Sequence, residues 1–218
     1  MIAVEQVSKS YNHLQVLKNI NLQVQPAEIV SIVGASGAGK TTLLQLMGTL
    51  DKPDNGSILI AGTDTTKLSG KKLAAFRNKH IGFIFQFHQL LPEFTALENI
   101  CMPAWIGGNT SKQVEAYAKQ LLGYLNVENR SHHKPSELSG GEQQRIAVAR
   151  ALINKPAIVL ADEPSGNLDS ANAQELHKLF FTLRAELNQT FVLVTHNDDL
   201  ANSADRKLTI RDGIILGT

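Results

Sequence analysis

Three features of the chain predict an α/β fold: a mainly parallel core sheet carrying an antiparallel β subdomain and a helical subdomain. Four short runs, 29–33, 81–85, 157–161 and 191–195, are nearly all apolar and rich in β-branched or aromatic residues. Strands covered by helices on both faces of a parallel sheet have this composition. Partly alternating stretches fall within residues 1–28 and 56–61, as expected of half-exposed antiparallel strands. Between residues 92 and 155 the pattern is mostly helical, with breaks at Gly107-Gly108-Asn109 and Lys134-Pro135-Ser136.

Taken in order, Ile2 to Val7 and Ile20 to Val24 are the alternating strands, and Ile29 to Val33 is the first buried one. That strand runs into Gly34-Ala35-Ser36-Gly37-Ala38-Gly39-Lys40-Thr41, a complete G-x-x-x-x-G-K-[ST] phosphate loop, and then into the apolar-rich stretch from Thr42 to Met47. A strand, a glycine-rich turn and a helix start are the context this motif requires. Backbone N–H groups can turn inward around phosphate oxygens there, and the helix beginning near Lys40 adds its positive end. Lys40 reaches toward the β- and γ-phosphates of a nucleotide, Thr41 offers a hydroxyl to Mg²⁺, and Thr42 completes the binding segment. The third buried strand, Ile158 to Ala161, ends in Asp162-Glu163. At the C-terminal edge of such a sheet Asp162 can bind Mg²⁺ through water, while Glu163 can activate the water that attacks the γ-phosphate.

Two further polar residues end apolar strands. Gln86 follows Ile81–Phe85, where its amide can reach Mg²⁺ or the attacking water, and His196 follows Phe191–Thr195, where its imidazole can donate to the γ-phosphate. Leu138-Ser139-Gly140-Gly141-Glu142 opens the helical run from Gln143 to Ile153 and has the form of a capping box, with Ser139 as N-cap and Glu142 at the third position. Two glycines leave that helix end bare, so Ser139, Gly140 and Gly141 form a second phosphate-binding candidate.

Composition narrows the class. The 218 residues suit one domain with subdomains, and a formal net charge of +1 without a block of like charge gives no nucleic-acid footprint. No stretch approaches the roughly 18 apolar residues of a membrane span. Met1 to Glu5 lacks the basic start of a signal peptide, so a cytoplasmic location is expected. The single cysteine, Cys101, reads as a small buried apolar residue, and the His132-His133 pair reads as solvated surface without a third metal ligand. The apolar segment holding Phe87, Leu90, Leu91 and Phe94 has two open readings, core of the helical subdomain or a surface groove for a partner helix.

The combination of the phosphate loop, Gln86, Leu138 to Glu142 followed by Gln143-Gln144-Arg145, Asp162-Glu163 and His196 resembles the ATP-binding cassette (ABC) family of P-loop ATPases along essentially the whole chain. The resemblance implies one nucleotide-binding domain over 1–218, with its helical subdomain at roughly 92–155. It implies ATP and Mg²⁺ as ligands, and a head-to-tail dimer in which Ser139 and Gly141 of one copy cover the γ-phosphate held by Lys40 of the other. It also makes Ser165-Gly166-Asn167-Leu168-Asp169 a loop that crosses the dimer interface and gives Tyr11 the role of stacking on adenine.

Residues Phe85 to Pro92, Phe94 to Ile100, Met102-Pro103 and Leu160 to Asp169 bring the chain nearest to cassettes of lipoprotein-releasing systems, with macrolide-export and cell-division cassettes as near relatives. Ser165 stands where Thr is usual and Asn197 where Asp is usual. The implied protein is a peripheral ATPase on the cytoplasmic face of a bacterial inner membrane, working on integral permease subunits of the LolC/LolE kind. Alternatives are a macrolide-type exporter, a cell-division complex, or a soluble ABC ATPase acting on nucleic acid or ribosomes. A small-molecule kinase shares the phosphate loop but has no use for the Ser139 motif or Glu163.

Overall fold

A computed structural model describes residues 1–216; Gly217 and Thr218 lie outside the described residues. The chain opens with an antiparallel hairpin of β1 (Ile2–Tyr11) and β2 (Leu14–Val24), whose register shifts at several points along its length. After β3 (Ile29–Val33) the phosphate loop leads into α1 (Lys40–Met47), and β4 (Asn55–Ile60) and β5 (Thr63–Asp64) then join the hairpin in a sheet ordered β2-β1-β4-β5. Helix α2 (Gly70–His80) feeds β6 (Ile81–Phe85). The helical part consists of α3 (Ala96–Ile106), α4 (Lys112–Tyr124) and α5 (Gly140–Leu152), separated at the two expected breaks and by single tight turns at 128–130 and 135–137. The chain then continues through β7 (Ile158–Asp162), α6 (Ser170–Leu187), β8 (Phe191–Val194), α7 (Asp198–Ser203), β9 (Arg206–Arg211) and β10 (Ile214–Leu216).

The central sheet is ordered β10-β9-β3-β8-β7-β6, with every pair parallel except β10 and β9. Its strands separate two cores, which explains their unbroken apolar sequences. On β7, Val159 and Ala161 face a core shared with α3 to α6, while Ile158 and Leu160 face a second core shared with α1 and the antiparallel sheet. Each fully buried aliphatic side chain of this kind stabilises the fold by roughly 1.5–3 kcal/mol. Phe180 of α6 meets Phe191 of β8 edge-on at 5.3 Å between ring centroids, closing the first core. Cys101 is buried in that core, and burial pushes its thiol up to about 11, as an inert small side chain requires.

Register determines where chemistry can occur. Phe85, Asp162 and Val194 lie side by side on β6, β7 and β8. The residues that follow them, Gln86, Glu163 and Thr195-His196, therefore emerge at one edge of the sheet, beside the loop leaving β3. Ligands bind at this carboxyl edge in open α/β sheets.

Candidate active site

The phosphate loop depends on its glycines at the last turn before α1. Gly39 is the N-cap residue at φ 106°, and a Cβ added there would lie 2.7 Å from Leu17 Cδ2 and 3.0 Å from the Val16 carbonyl oxygen. No side chain caps α1 and its first turn holds no acidic residue. Its leading N–H groups thus remain available to an anion, with the helix dipole favouring negative charge. Lys40 is buried, and its ammonium donates to the carbonyls of Gly34 at 2.8 Å and Ala35 at 3.0 Å. Neutral acceptors hold the group in place without cancelling its charge.

A cleft of about 380 Å³ spreads in front of this loop. Ser36, Gly37, Gly39, Lys40, Thr41 and Thr42 form its floor, Asp162, Glu163 and His196 one wall, and Tyr11 with Leu14 and Val16 the other. Gly34 and Ala35 stand behind the floor, presenting their carbonyls to Lys40, and the Ala38 side chain packs into the core. At the back, Thr41 Oγ1 donates to Asp162 Oδ1 at 3.5 Å. Burial pushes the Asp162 carboxyl above its ordinary value, opposed by the Thr41 bond and the positive charge of Lys40. A hydroxyl and a desolvated carboxylate side by side are hard oxygen donors of the type Mg²⁺ takes, so this pair fits that ion.

Glu163 continues the sheet with its N–H donating to the Val194 carbonyl at 2.9 Å, then turns through φ 46°. Its Oε2 accepts the His196 N–H at 3.1 Å. Its Oε1 lies 3.2 Å from His196 Nε2 but outside hydrogen-bond geometry, leaving a buried carboxylate oxygen without a hydrogen-bond partner. Once a water is admitted beside it, that unpartnered oxygen can accept a proton.

Gln86 is not brought into the cleft. Its Nε2 donates to Asn167 Oδ1 at 3.1 Å, and Asn167 Nδ2 returns a bond to the Gln86 carbonyl at 3.0 Å, tying β6 to the 165–169 loop. The buried Gln144 of α5 reinforces this edge by donating to the carbonyls of Phe85 at 3.3 Å and Pro164 at 2.7 Å. Ser139, Gly140 and Gly141 also lie outside the cleft. They form the expected capping box at the start of α5, with Glu142 N donating to Ser139 Oγ at 3.3 Å and Ser139 N donating to Glu142 Oε2 at 2.8 Å.

The two departures from usual residues have structural accounts. The Ser165 hydroxyl lies 2.9 Å from His177 Nε2, and Asn197 caps α7 by accepting the Leu200 N–H at 2.9 Å. His132 is exposed, whereas His133 is half-buried and its Nδ1 has no partner, so only one of the pair is solvated surface as expected. The segment after Gln86 divides between its two readings. Leu90 packs on the helical core, while Phe87 is 70% exposed, and a separate cleft of about 400 Å³ is lined in part by Phe85, Gln89, Ile106 and Arg150. Arg150 shapes the rim by donating to the carbonyls of His88 and Gln89. Leu14 and Val16 were not legible as site residues, because a hairpin aliphatic carries no motif. Asn167 and Gln144 lie within the stretches Ser165 to Asp169 and Gln143 to Arg145, but their bonds to Gln86, Phe85 and Pro164 have no local signature.

The model of the ABC transporter family matches residues 17–166. The lipoprotein-releasing system ATP-binding protein LolD of Bacteroides fragilis is 59% identical over 216 residues, covering 99% of this chain and 100% of that protein. The LolD protein of Porphyromonas gingivalis is 57% identical over 215 residues, covering 99% and 98%. Among solved structures, a dimeric ATP-binding cassette in a post-hydrolysis state with ADP and Pi aligns at a TM-score of 0.89 and 38% identity, covering 100% of this chain and 97% of that one.

Proposed function

Because the chain belongs to the ABC transporter family of ATP-hydrolysing cassettes, we propose that it powers a lipoprotein-releasing system. In this reading it drives the release of lipoproteins from the inner membrane toward the outer membrane. The observation that carries the assignment is identity of 57–59% to LolD proteins along almost the full length of both chains. Residues 1–218 act as one nucleotide-binding domain with residues 92–155 as its helical part. No helix among the described residues is long and apolar enough to cross a membrane. In the proposed reading, which rests on the likeness to LolD proteins, the cassette works at the cytoplasmic face of the inner membrane through permease subunits of the LolC/LolE type. The cleft lined by Phe85, Ile106 and Arg150 is the place where a permease segment docks.

The geometry supports a division of labour within the nucleotide cleft. Tyr11 stacks on the base, residues 34–42 enclose the phosphates, and the Lys40 ammonium transfers from its loop carbonyls to β- and γ-phosphate oxygens. Thr41 and Asp162 would hold Mg²⁺, with Gln86 as a further ligand if its bond to Asn167 were to open, and the ion would neutralise phosphate charge. Glu163 Oε1 takes a proton from the attacking water as the bond to the γ-phosphorus forms and that to the leaving ADP oxygen breaks. His196 donates a hydrogen bond to the γ-phosphate and steadies Glu163 through its backbone N–H. Ser139, Gly140 and Gly141 serve the nucleotide of a second, head-to-tail copy, in keeping with their position outside their own cleft.

Purification of the native complex from membranes tests the cellular assignment. Permease subunits and lipoprotein should co-purify, and proteoliposomes made from the complex should release lipoprotein to an acceptor only with hydrolysable ATP. Purification without membrane subunits, or release that is indifferent to ATP, would refute it.

A further inference from the structure

Tyr11 ends β1 at the tip of a hairpin, 43% exposed, where an aromatic ring unsupported by neighbours samples several rotamers. Its hydroxyl donates to Asp51 Oδ2 at 2.7 Å. The Lys9 ammonium donates to the other oxygen of Asp51 at 3.0 Å and to the Lys52 carbonyl at 2.7 Å, and lies 5.1 Å from the Tyr11 ring centroid. Lys9 is itself buried and directs its charge to Asp51, whose side chain is 33% exposed, so the pair is a charge-assisted bond anchored from the buried side. Asp51 also accepts the Lys52 N–H at 2.7 Å, which leaves its carboxylate a single orientation.

The position of Asp51 in the chain gives this cluster its meaning. It lies four residues beyond the end of α1, the helix that begins at the phosphate loop. Its segment is fastened to β1 by Asp54 N donating to the Ser8 carbonyl at 2.9 Å and by Ser10 N donating to Asp54 Oδ2 at 2.6 Å. The wall that faces the base and the floor that faces the phosphates are thus joined through Asp51. We propose that Asp51, supported by Lys9, is a positioning residue for nucleotide binding: it locks the Tyr11 ring at a fixed place relative to the phosphate loop, ready to stack on the base of a nucleoside triphosphate. The Asp51 bond pushes the Tyr11 hydroxyl up to about 12, so it remains a donor across the physiological range. This inference rests on the stacking role of Tyr11.

A ligand with the same phosphates but no base separates positioning from general support of the fold. The full chain is titrated calorimetrically with ATP and with inorganic tripolyphosphate, each with Mg²⁺. Tyr11→Phe and Asp51→Ala should each weaken ATP binding about two- to tenfold, the penalty of ordering one side chain on association. Both should keep the parent's affinity for tripolyphosphate. The double variant should be no weaker than the weaker single one, since both cut the same bond. Asp51→Asn, which retains an acceptor for the hydroxyl, should recover most of the loss. If Tyr11→Ala loses ATP affinity while Tyr11→Phe and Asp51→Ala keep it, stacking stands and the positioning role is overturned. If Asp51→Ala weakens tripolyphosphate as much as ATP, Asp51 acts on the phosphate loop and the inference is likewise overturned. If Tyr11→Ala binds ATP as the parent does, the stacking role itself fails and the inference with it.

Discussion

Glu163 combines two properties that a water-activating carboxylate needs. One oxygen is anchored by the His196 N–H at 3.1 Å and the other is buried without a hydrogen-bond partner. A non-glycine residue in the left-handed region costs about 1–3 kcal/mol, and here the bonds from Glu163 N to Val194 and from Gly166 N to the Glu163 carbonyl hold the turn. Glu163→Gln keeps the shape and removes the base. Hydrolysis should fall by about 10² to 10⁴, while ATP affinity persists because Lys40, Thr41 and Asp162 are untouched. Size-exclusion chromatography should then show an ATP-dependent dimer that the parent forms only briefly. Near-parental turnover would remove Glu163 from the base role, and loss of ATP binding would make it a structural or metal residue. Lys40→Ala acts on the other side of the cleft. It removes the cation next to the Gly34 and Ala35 carbonyls, so nucleotide affinity itself should drop in a fluorescent-nucleotide titration, and unchanged affinity would refute its phosphate role.

Helix α5 shows how one element serves both folding and site construction. Its capping box satisfies donors at its N-terminus, and Arg130 Nε donates to Glu142 Oε1 at 2.6 Å. The backbone bond from Ser139 and the Arg130 guanidinium hold the Glu142 carboxyl down at about 2, against an ordinary value of 4.5. A depressed carboxyl contributes stability that is fully present above its unfolded value and is lost as pH falls through its folded one. Glu142→Ala should therefore lower stability at neutral pH by about 1 kcal/mol, the usual scale of a lost cap. In urea denaturation that difference should shrink as pH falls from 4.5 toward about 2. A difference independent of pH would mean that packing, not charge, is responsible. The capping box and the four buried strands were legible in the sequence because each carries a local signature, a spaced polar pair or an unbroken apolar run. Helix α2 was not, since none of its residues is buried and its sequence, Gly-Lys-Lys-Leu-Ala-Ala-Phe-Arg-Asn-Lys-His, has no clear apolar stripe. Strands β9 and β10 escaped for a different reason. Strand β9 mixes charged with apolar residues and is placed by long-range pairing with β3, as the pairing of Val30 with Arg206 illustrates, while β10 is a three-residue apolar stretch held by its pairing with β9. Gln86 was recognised as a polar strand end, but its bond to Asn167, 81 residues away, has no local signature.

At the scale of the whole molecule, the chain divides its two phosphate-binding candidates between different surfaces. Lys40, Asp162, Glu163 and His196 share one cleft, whereas Ser139 and Gly140 are exposed elsewhere and Gly141 packs against Asn172 at the start of α6. A Cβ on Gly141 would lie 2.7 Å from Asn172 Oδ1, so glycine lets α5 sit closely against the start of α6. The solved cassette that aligns with ADP and Pi bound is dimeric, and the proposed head-to-tail arrangement has the exposed Ser139-Gly140 end of α5 serving the partner's phosphate loop. A mixed dimer tests that arrangement, with Ser139→Arg in one copy and Lys40→Ala in the other. If Ser139 acts in trans, both lesions fall on one composite site, and the second site retains an intact Lys40 from the first copy and an intact Ser139 from the other. Single-site ATP trapping should then reach about half the parental stoichiometry, since one of two sites survives. If Ser139 acts within its own chain, each site carries one lesion, and the mixed dimer should trap no more ATP than the two inactive homodimers. Trapping at the homodimer level would overturn the head-to-tail arrangement while leaving the chemistry of the Lys40 cleft intact, because the Glu163 and Lys40 experiments read that cleft separately.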